Sequence, residues 1–193
     1  MQNKHLSALV AGLAFAGVVS TQAQPASPQG VITAKVFLDI GGGTAVTDLT
    51  GNAKFPDNPD LVTYPSYFEL YATGNITTPP PGDVHNNAGA QMIGYFYPPS
   101  TGDYVFYLAA DDGAQLFLST DADPANKKLI AQESTWSTVR NYFARGDGGD
   151  ASEKDSSMFS GTQWPVKDPI NLGAKITLTQ GQAYYIEALQ KEG

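Results

Sequence analysis

The chain has 193 residues, no cysteine and a formal net charge of −8 at pH 7. This length suits one domain, and the absence of cysteine excludes disulfide bonds and thiolate metal sites. The acidic balance disfavours binding to nucleic acid or to an anionic membrane surface, and is compatible with divalent cations or neutral ligands. Frequent glycine (20) and proline (13), with 10 tyrosines and 9 phenylalanines, favour an all-β fold of short strands joined by turns.

The N-terminal segment 1–23 predicts a cleaved secretory signal peptide. It has a short polar start, an apolar middle of about 14 residues that is short for a membrane span, and a small-x-Ala cleavage motif ending at Ala23. We therefore expect a secreted or cell-surface protein with a linker over 24–30 and one domain over 31–193. No membrane insertion is expected after cleavage.

The first half of the domain contains three apolar segments of strand length, and the predicted strands are 31–40, 66–72 and 90–97. Alternation of apolar and polar residues over 66–72 predicts that this strand is half-buried. A single helical turn is predicted over 45–49, and Phe55 is predicted to plug the core from a loop. Residues 73–87 are predicted to be a long surface loop.

The most informative stretch is 100–118. Two apolar runs, 104–109 and 115–118, flank Asp111-Asp112-Gly113, and Asp-Gly between such runs is a strong hairpin signal. We therefore predict that 90–97, 104–109 and 115–118 are consecutive antiparallel strands. Alternation along the middle strand places Val105 and Tyr107 on one face and Phe106 and Leu108 on the other.

The two aspartates of this turn differ in how well the turn explains them. Asp112 is explained, because aspartate tolerates left-handed φ and its side chain can bond its own backbone. Asp111 is not needed for the turn, and two adjacent like charges repel each other unless a cation or water screens them. Asp111 is therefore the residue that most strongly suggests a bound ligand.

The second half of the chain predicts three more strands, at 128–132, 175–179 and 183–190. The last two are predicted to form a hairpin about Gln180-Gly181. Residues 134–143 permit either a short amphipathic helix or an irregular strand. Residues 145–168 are poor in apolar side chains, so we predict an insertion loop that is the least ordered part of the domain.

A set of glycines, prolines, aromatic residues and the aspartate pair recurs at characteristic places along the chain: Gly94, Pro98-Pro99, Gly102-Asp103-Tyr104, Phe106, Asp111-Asp112-Gly113, Gln115-Leu116-Phe117-Leu118, Leu129-Ile130, Gly181 and Tyr184-Tyr185-Ile186-Glu187-Ala188-Leu189. This pattern resembles the PA14 domain family. The resemblance runs from about residue 31 to the end and implies an antiparallel β-sandwich or barrel with long loops. Family members continue into a further loop and a closing strand, which implies a chain truncated before its last strand, with an open sheet edge.

The resemblance also implies a candidate site. In sugar-binding PA14 domains, two consecutive aspartates joined by a cis peptide hold a calcium ion that ligates sugar hydroxyls. By this resemblance Asp111 and Asp112 are candidate calcium ligands, and Asp111, Asp112 and Gly113 are candidate ligand-binding residues. The alternative is that the pair is turn chemistry, present also in members that bind no sugar.

Other candidate residues have a simpler structural explanation. An acidic run (Asp147, Asp150, Glu153 and Asp155) lacks the spacing of an EF-hand loop, so a solvated loop is favoured over a metal site. Asp121 and Asp123 are interpreted in the same way. Aromatic residues that could stack on sugar rings, but that are more often core, are Tyr67, Tyr71, Tyr95, Tyr97, Trp136 and Trp164.

Catalytic motifs are missing from the sequence. His85 is the one histidine after the predicted signal peptide, and neither Gly-x-Ser-x-Gly nor His-Glu-x-x-His occurs. A carboxylate pair for glycoside hydrolysis stays open, because its separation is invisible in sequence. We expect a non-catalytic, secreted module that binds glycans or cell-surface polysaccharide with calcium. The alternatives are a structural or assembly spacer of a larger exported protein, and an accessory domain of a secreted glycoside hydrolase.

Overall fold

The computed structural model describes residues 32–70 and 86–193. The predicted signal peptide and linker lie outside these residues, as do Tyr71 and His85. The described residues form eight strands, one short α-helix and two 3₁₀ turns, and none of these helices has the length and apolar character needed to cross a membrane. The elements are β1 (Thr33–Phe37), α1 (Val46–Thr50), β2 (Leu61–Thr63), β3 (Ala88–Phe96), β4 (Gly102–Tyr104), β5 (Ala114–Ser119), a 3₁₀ turn (Pro124–Asn126), β6 (Lys127–Glu133), a 3₁₀ turn (Ser152–Lys154), β7 (Ile176–Leu178) and β8 (Tyr184–Glu192).

The strands of the described residues form two sheets. The larger has six strands in the order β2-β1-β3-β8-β5-β6, and the smaller pairs β4 with β7. Every pairing is antiparallel. This confirms the expected all-β, sandwich-type fold with long connections.

Side chains that alternate along the strands build a core on each face of the large sheet. Between the two sheets, Leu116 of β5 and Ile186 of β8 pack with Ile176 of β7. On the opposite face, Leu49 of α1 packs among buried residues that include Phe37. The predicted plug is confirmed, since the Phe55 ring lies 5.5 Å from the Phe37 ring, centroid to centroid.

The predicted central hairpin is wrong. Residues 105–111 do not pair with β5, whose two neighbours are β6 and β8. They run instead as an extended segment that bridges Asp155 through Tyr107 and Trp136 through Asp111. The Asp-Gly turn signal locates a change of chain direction but does not select the partner strand. The predicted alternation is nevertheless confirmed, because Val105 and Tyr107 are exposed while Phe106 and Leu108 pack on the core.

The predicted C-terminal hairpin is also wrong in its pairing. Strands form at both predicted places, but β7 pairs with β4, and β8 is inserted between β3 and β5. The open edge expected beside the last predicted strand does not occur there, because β8 has a partner on both sides. Its position in the middle of the large sheet brings its last residues next to the start of β5.

Two predicted elements in the remaining loops are not regular structure. Residues 66–70 are bends rather than a strand, and both Tyr67 and Phe68 are exposed, so no face is buried; residues 71–72 lie outside the described ranges. The short edge strand β2, just before them, was not predicted. Residues 134–143 form neither a helix nor a strand and make a single bridge, from Trp136 to Asp111.

The predicted insertion over 145–168 packs more closely than its composition suggested. Phe159 and Trp164 are buried, and so are polar residues of the segment, including Lys154. Buried polar side chains thus add anchors that an apolar count overlooks. That 145–168 is the least ordered part of the domain stays a prediction, which limited proteolysis would check.

The helical turn predicted over 45–49 is confirmed, because α1 forms at Val46–Thr50. Local sequence patterns therefore predicted single elements better than they predicted which strands pair.

Candidate functional site

The aspartate pair lies where the extended segment 105–111 enters β5, and backbone contacts hold it from several sides. The Ser137 amide donates to the Ala110 carbonyl oxygen at 2.7 Å, just before the pair. After the pair, the Lys191 amide donates to the Gly113 carbonyl oxygen at 2.9 Å. The peptide between Asp111 and Asp112 is cis. Both carboxylates thus project from a backbone that is fixed on either side.

Gly113 is required by a close backbone approach. Its amide donates to the Thr44 carbonyl oxygen at 3.2 Å, and a Cβ at this position would lie 2.5 Å from the same oxygen. Any side chain would therefore push the connection before α1 away from β5. Gly113 is buried and has no side chain to offer, so the structure gives it a role in positioning the two aspartates.

A third carboxylate, missed in the sequence, completes the site. The register of β5 against β8 places Ala114 opposite Gln190, so Glu192 falls opposite Asp112. Carboxylate oxygens of Asp111, Asp112 and Glu192 all lie within 4.8 Å of one another, the one such group of three found in the described residues. Sequence inspection could not find Glu192, because nothing local indicates that β8 pairs with β5.

The electrostatics of the cluster reflect its crowding. Burial raises the pKa of Asp111, and the charges of Asp112 and Glu133 raise it further. Burial, together with the charges of Asp111 and Asp112, raises the pKa of Glu192 to about 7. The cluster therefore holds more negative charge than it accommodates easily, and a cation would relieve it.

A buried lysine lies beneath the cluster. Lys191 is fully buried, and its Nζ donates to the carbonyl oxygens of Gly41 at 2.6 Å and of Glu192 at 2.5 Å. Burial lowers the pKa of Lys191, while the charges of Asp48, Glu192 and Asp112 oppose this change. Because both of its hydrogen bonds go to carbonyl oxygens, Lys191 fixes the backbone and leaves the carboxylates open.

The donor set fits a hard divalent cation. Calcium takes six to eight oxygen ligands at about 2.3–2.6 Å, so two ligands on opposite sides of the ion lie about 5 Å apart. The three carboxylates supply oxygens within 4.8 Å of one another, which is inside this limit. Carboxylate oxygen suits calcium better than the softer transition metals, which prefer nitrogen or sulfur.

The raised pKa of Glu192 predicts an inverted pH dependence of stability without metal. Its folded-state pKa is about 7 against 4.5 for the unfolded chain, so the folded state binds the proton more tightly. The free energy of unfolding should therefore decrease as pH rises from 4.5 to 7. Melting scans in chelator across this window should show the decrease. Glu192→Gln should flatten it, and an unchanged slope in that variant would assign the effect to another group.

The indole ring of Trp136, whose backbone pairs with that of Asp111, has one covered face. Trp136 bridges Asp111 through the backbone, and the Gly146 amide donates to the Trp136 carbonyl oxygen at 2.8 Å. A Cβ at Gly146 would collide with the centre of the Trp136 ring, so the glycine backbone lies directly against one ring face. The side chain remains 39% exposed. The structure thus presents an aromatic surface that is backed on one side and open on the other.

Trp136 and two of the three carboxylate residues line one cavity. Its volume is about 810 Å³, and it lies over the inner face of the large sheet and beside the extended segment 105–111. Trp136 lines it together with Asp111 and Glu192. An apolar cavity with a few convergent polar groups is the usual form of a small-ligand site.

The other candidate aromatic residues do not join this site. Trp164 is buried in the core, and the partly buried Tyr95 packs its ring edge-on against Tyr185. Tyr97 is also partly buried, and Tyr67 is exposed but does not line the cavity. Tyr71 lies outside the described residues.

The other acidic candidates pair with neighbouring side chains and backbone groups. Asp147 pairs with Arg145 at 2.7 Å. Asp150 and Asp155 accept hydrogen bonds from nearby serine side chains, and Glu153 accepts from Ser134 and Gln132. Asp121 and Asp123 cap the turn that follows β5, at the strand end opposite the aspartate pair.

Comparison with known proteins gives the same architecture a family context. The model of the PA14 domain matches residues 43–191. Fibrocystin from Canis lupus familiaris is 33% identical over 99 residues, which are 51% of this chain and 2% of fibrocystin. The N-acetyl-beta-glucosaminyl-glycoprotein 4-beta-N-acetylgalactosaminyltransferase 1 of Mus musculus is 31% identical over 103 residues, which are 53% of this chain and 9% of the transferase. The chain therefore spans only a small part of either relative.

Proposed function

Because this chain belongs to the PA14 domain family, we propose that it is a carbohydrate-binding module that uses calcium. The observation that carries the proposal is the convergence of Asp111, Asp112 and Glu192, two of which, Asp111 and Glu192, line one cavity together with Trp136. The three carboxylates hold the ion, and the bound calcium supplies open coordination positions for sugar hydroxyls.

A pyranose is the ligand class that matches both parts of this site. It has hydroxyl groups at its rim, which suit a cation and carboxylate oxygens, and an apolar C–H face, which suits an aromatic ring. Trp136 offers such a ring, because its backbone pairs with that of Asp111 and both residues line the same cavity. The Gly146 backbone holds the ring in place, so little side-chain freedom is lost when a ligand binds.

We also propose that the module is exported and has no catalytic activity of its own. The N-terminal segment has the pattern of a secretory signal peptide. By its name, the mouse relative transfers N-acetylgalactosamine to a glycoprotein carrying N-acetylglucosamine. This supports a glycan as the ligand class here, although the match covers a small part of that enzyme. A spacer role in a larger protein is the alternative, and it would need neither the ion nor the ring.

The function is tested by measuring glycan binding to a variant in which the Trp136 ring is displaced but still present. Gly146→Ala places a methyl group against the Trp136 ring and forces it to move. We expect calcium-dependent binding to an array of neutral glycans by the unmodified protein, and binding about tenfold weaker in the variant, the scale of one aromatic contact. Titration of the best array ligand by calorimetry measures the difference.

Gly102→Ala is the matched control, because a Cβ at Gly102 meets no heavy atom within 4 Å. This variant should bind glycan as the unmodified protein does. Melting scans on both variants separate loss of the ring surface from general destabilisation. If no glycan on the array is bound with or without calcium, the carbohydrate-binding proposal fails and the spacer role becomes the better explanation.

A further inference from the structure

A second group of aromatic side chains lies on the surface outside the carboxylate site. The rings of Tyr107 and Phe143 are 5.4 Å apart, and those of Tyr107 and Tyr142 are 6.4 Å apart, both edge-on. Phe143 is 77% exposed and Tyr107 is 41% exposed. We call these three residues the aromatic cluster. A contiguous group of exposed apolar side chains is a feature of binding surfaces.

The loop that carries two of these rings is fixed from below by a buried charge. Lys154 Nζ donates to the carbonyl oxygens of Asn141 at 2.5 Å and of Ala144 at 2.8 Å, on either side of Tyr142 and Phe143. The same Nζ lies 3.1 Å from a carboxylate oxygen of Glu133, and both side chains are fully buried. The backbone that carries the rings of Tyr142 and Phe143 is therefore fixed on both sides by the buried lysine.

The aromatic cluster is continuous with the carboxylate site. Tyr107 and Tyr142 line the same cavity as Asp111 and Glu192. Tyr107 precedes Asp111 by four residues in the extended segment, which corresponds to about 13 Å at about 3.3 Å per residue. This distance is longer than one pyranose ring. A single sugar at the carboxylates would therefore leave the aromatic cluster uncovered.

We propose that the aromatic cluster is a second sugar subsite, so that the module selects oligosaccharides over single sugars. This inference rests on the proposed function. One sugar residue lies at Asp111, Asp112 and Glu192, and a later residue of the same oligosaccharide covers the cluster with its apolar face. The net charge of −8 argues against an anionic occupant such as nucleic acid or an acidic membrane surface.

The test compares chain lengths of one sugar series in a variant that removes the most exposed ring. The probes are the monosaccharides and the oligomers up to hexasaccharides of glucose, mannose, xylose and N-acetylglucosamine, titrated at saturating calcium. The unmodified protein should bind the oligomers of one series about tenfold more tightly than its monosaccharide. Phe143→Ala should reduce that advantage about three- to tenfold and leave monosaccharide affinity unchanged.

Ile170→Ala is the control, since Ile170 is 85% exposed and belongs to neither subsite. It should keep the full preference for oligomers, and the melting temperatures of both variants should match the unmodified protein. Equal affinity for monosaccharide and oligomers, or an unaltered preference in Phe143→Ala, would overturn the second subsite while leaving the proposed function intact. If no sugar of any length binds, the proposed function fails and the second subsite fails with it.

Discussion

Replacing Lys154 with methionine is expected to lower the free energy of unfolding by about 3–5 kcal/mol. Lys154 and Glu133 are both fully buried and pair at 3.1 Å. Neither carboxylate oxygen of Glu133 has a hydrogen-bond partner of good geometry within the described structure. Removing the ammonium would leave a buried carboxylate uncompensated, and it would also free the carbonyl oxygens of Asn141 and Ala144.

Chemical denaturation of purified protein measures this cost, and two further variants interpret it. Lys175→Met removes a lysine that is 51% exposed and lies 3.8 Å from Asp103, so it should cost less than about 1 kcal/mol. The double variant Lys154→Met/Glu133→Leu removes both buried charges and should recover most of the loss. If Lys154→Met costs no more than Lys175→Met, the buried pair does not anchor the loop that carries Tyr142 and Phe143.

Local features of the fold were largely predictable from sequence. Apolar alternation with glycine and proline punctuation located most of the strands, because these signals depend on neighbouring residues. Phe55 was predicted to plug the core from a loop, and its ring packs against that of Phe37. The pairing of strands was not predictable, because each strand has several partners of equal apolar character. The turn at Asp111-Asp112-Gly113 therefore suggested a hairpin, whereas β5 pairs with β6 and β8.

The candidate site was predictable only in part, for a related reason. Asp111 stood out because a turn does not need it. Glu192 gave no signal, since its place opposite Asp112 depends on the register of β8 against β5. Lys154 was missed because a lysine in a polar stretch usually indicates solvent exposure, and this one is buried. The roles of Glu192 and Lys154 depend on contacts with residues far away in the sequence, so only the tertiary structure reveals them.

Calcium is expected to raise the melting temperature of this protein, and Asp111→Asn is expected to abolish the rise. A ligand that binds only the folded state stabilises it by RT ln(1 + [L]/Kd), about 2.7 kcal/mol at a hundredfold excess over Kd. For a chain of this length the shift corresponds to roughly 5–10 °C. The reason is the cluster of Asp111, Asp112 and Glu192, whose carboxylate oxygens lie within 4.8 Å of one another.

Scans in calcium, in magnesium and in chelator measure the effect. Magnesium should substitute poorly, because it demands tight octahedral geometry and dehydrates reluctantly. Without metal, Asp111→Asn should melt slightly higher than the unmodified protein, because it removes one charge from a crowded group. The control is Asp57→Asn, which changes an exposed aspartate outside the cluster and should keep the full response to calcium.

The direction of the metal-free change separates a cation site from a purely structural turn. If the carboxylates exist to hold an ion, relieving their repulsion stabilises the empty site and destroys the calcium response, so the two effects of Asp111→Asn have opposite signs. If Asp111 instead supports the turn, the variant should melt lower with and without calcium by the same amount. If calcium does not change the melting temperature of the unmodified protein, Asp111 and Asp112 are turn residues only. The role of a spacer is then the better explanation.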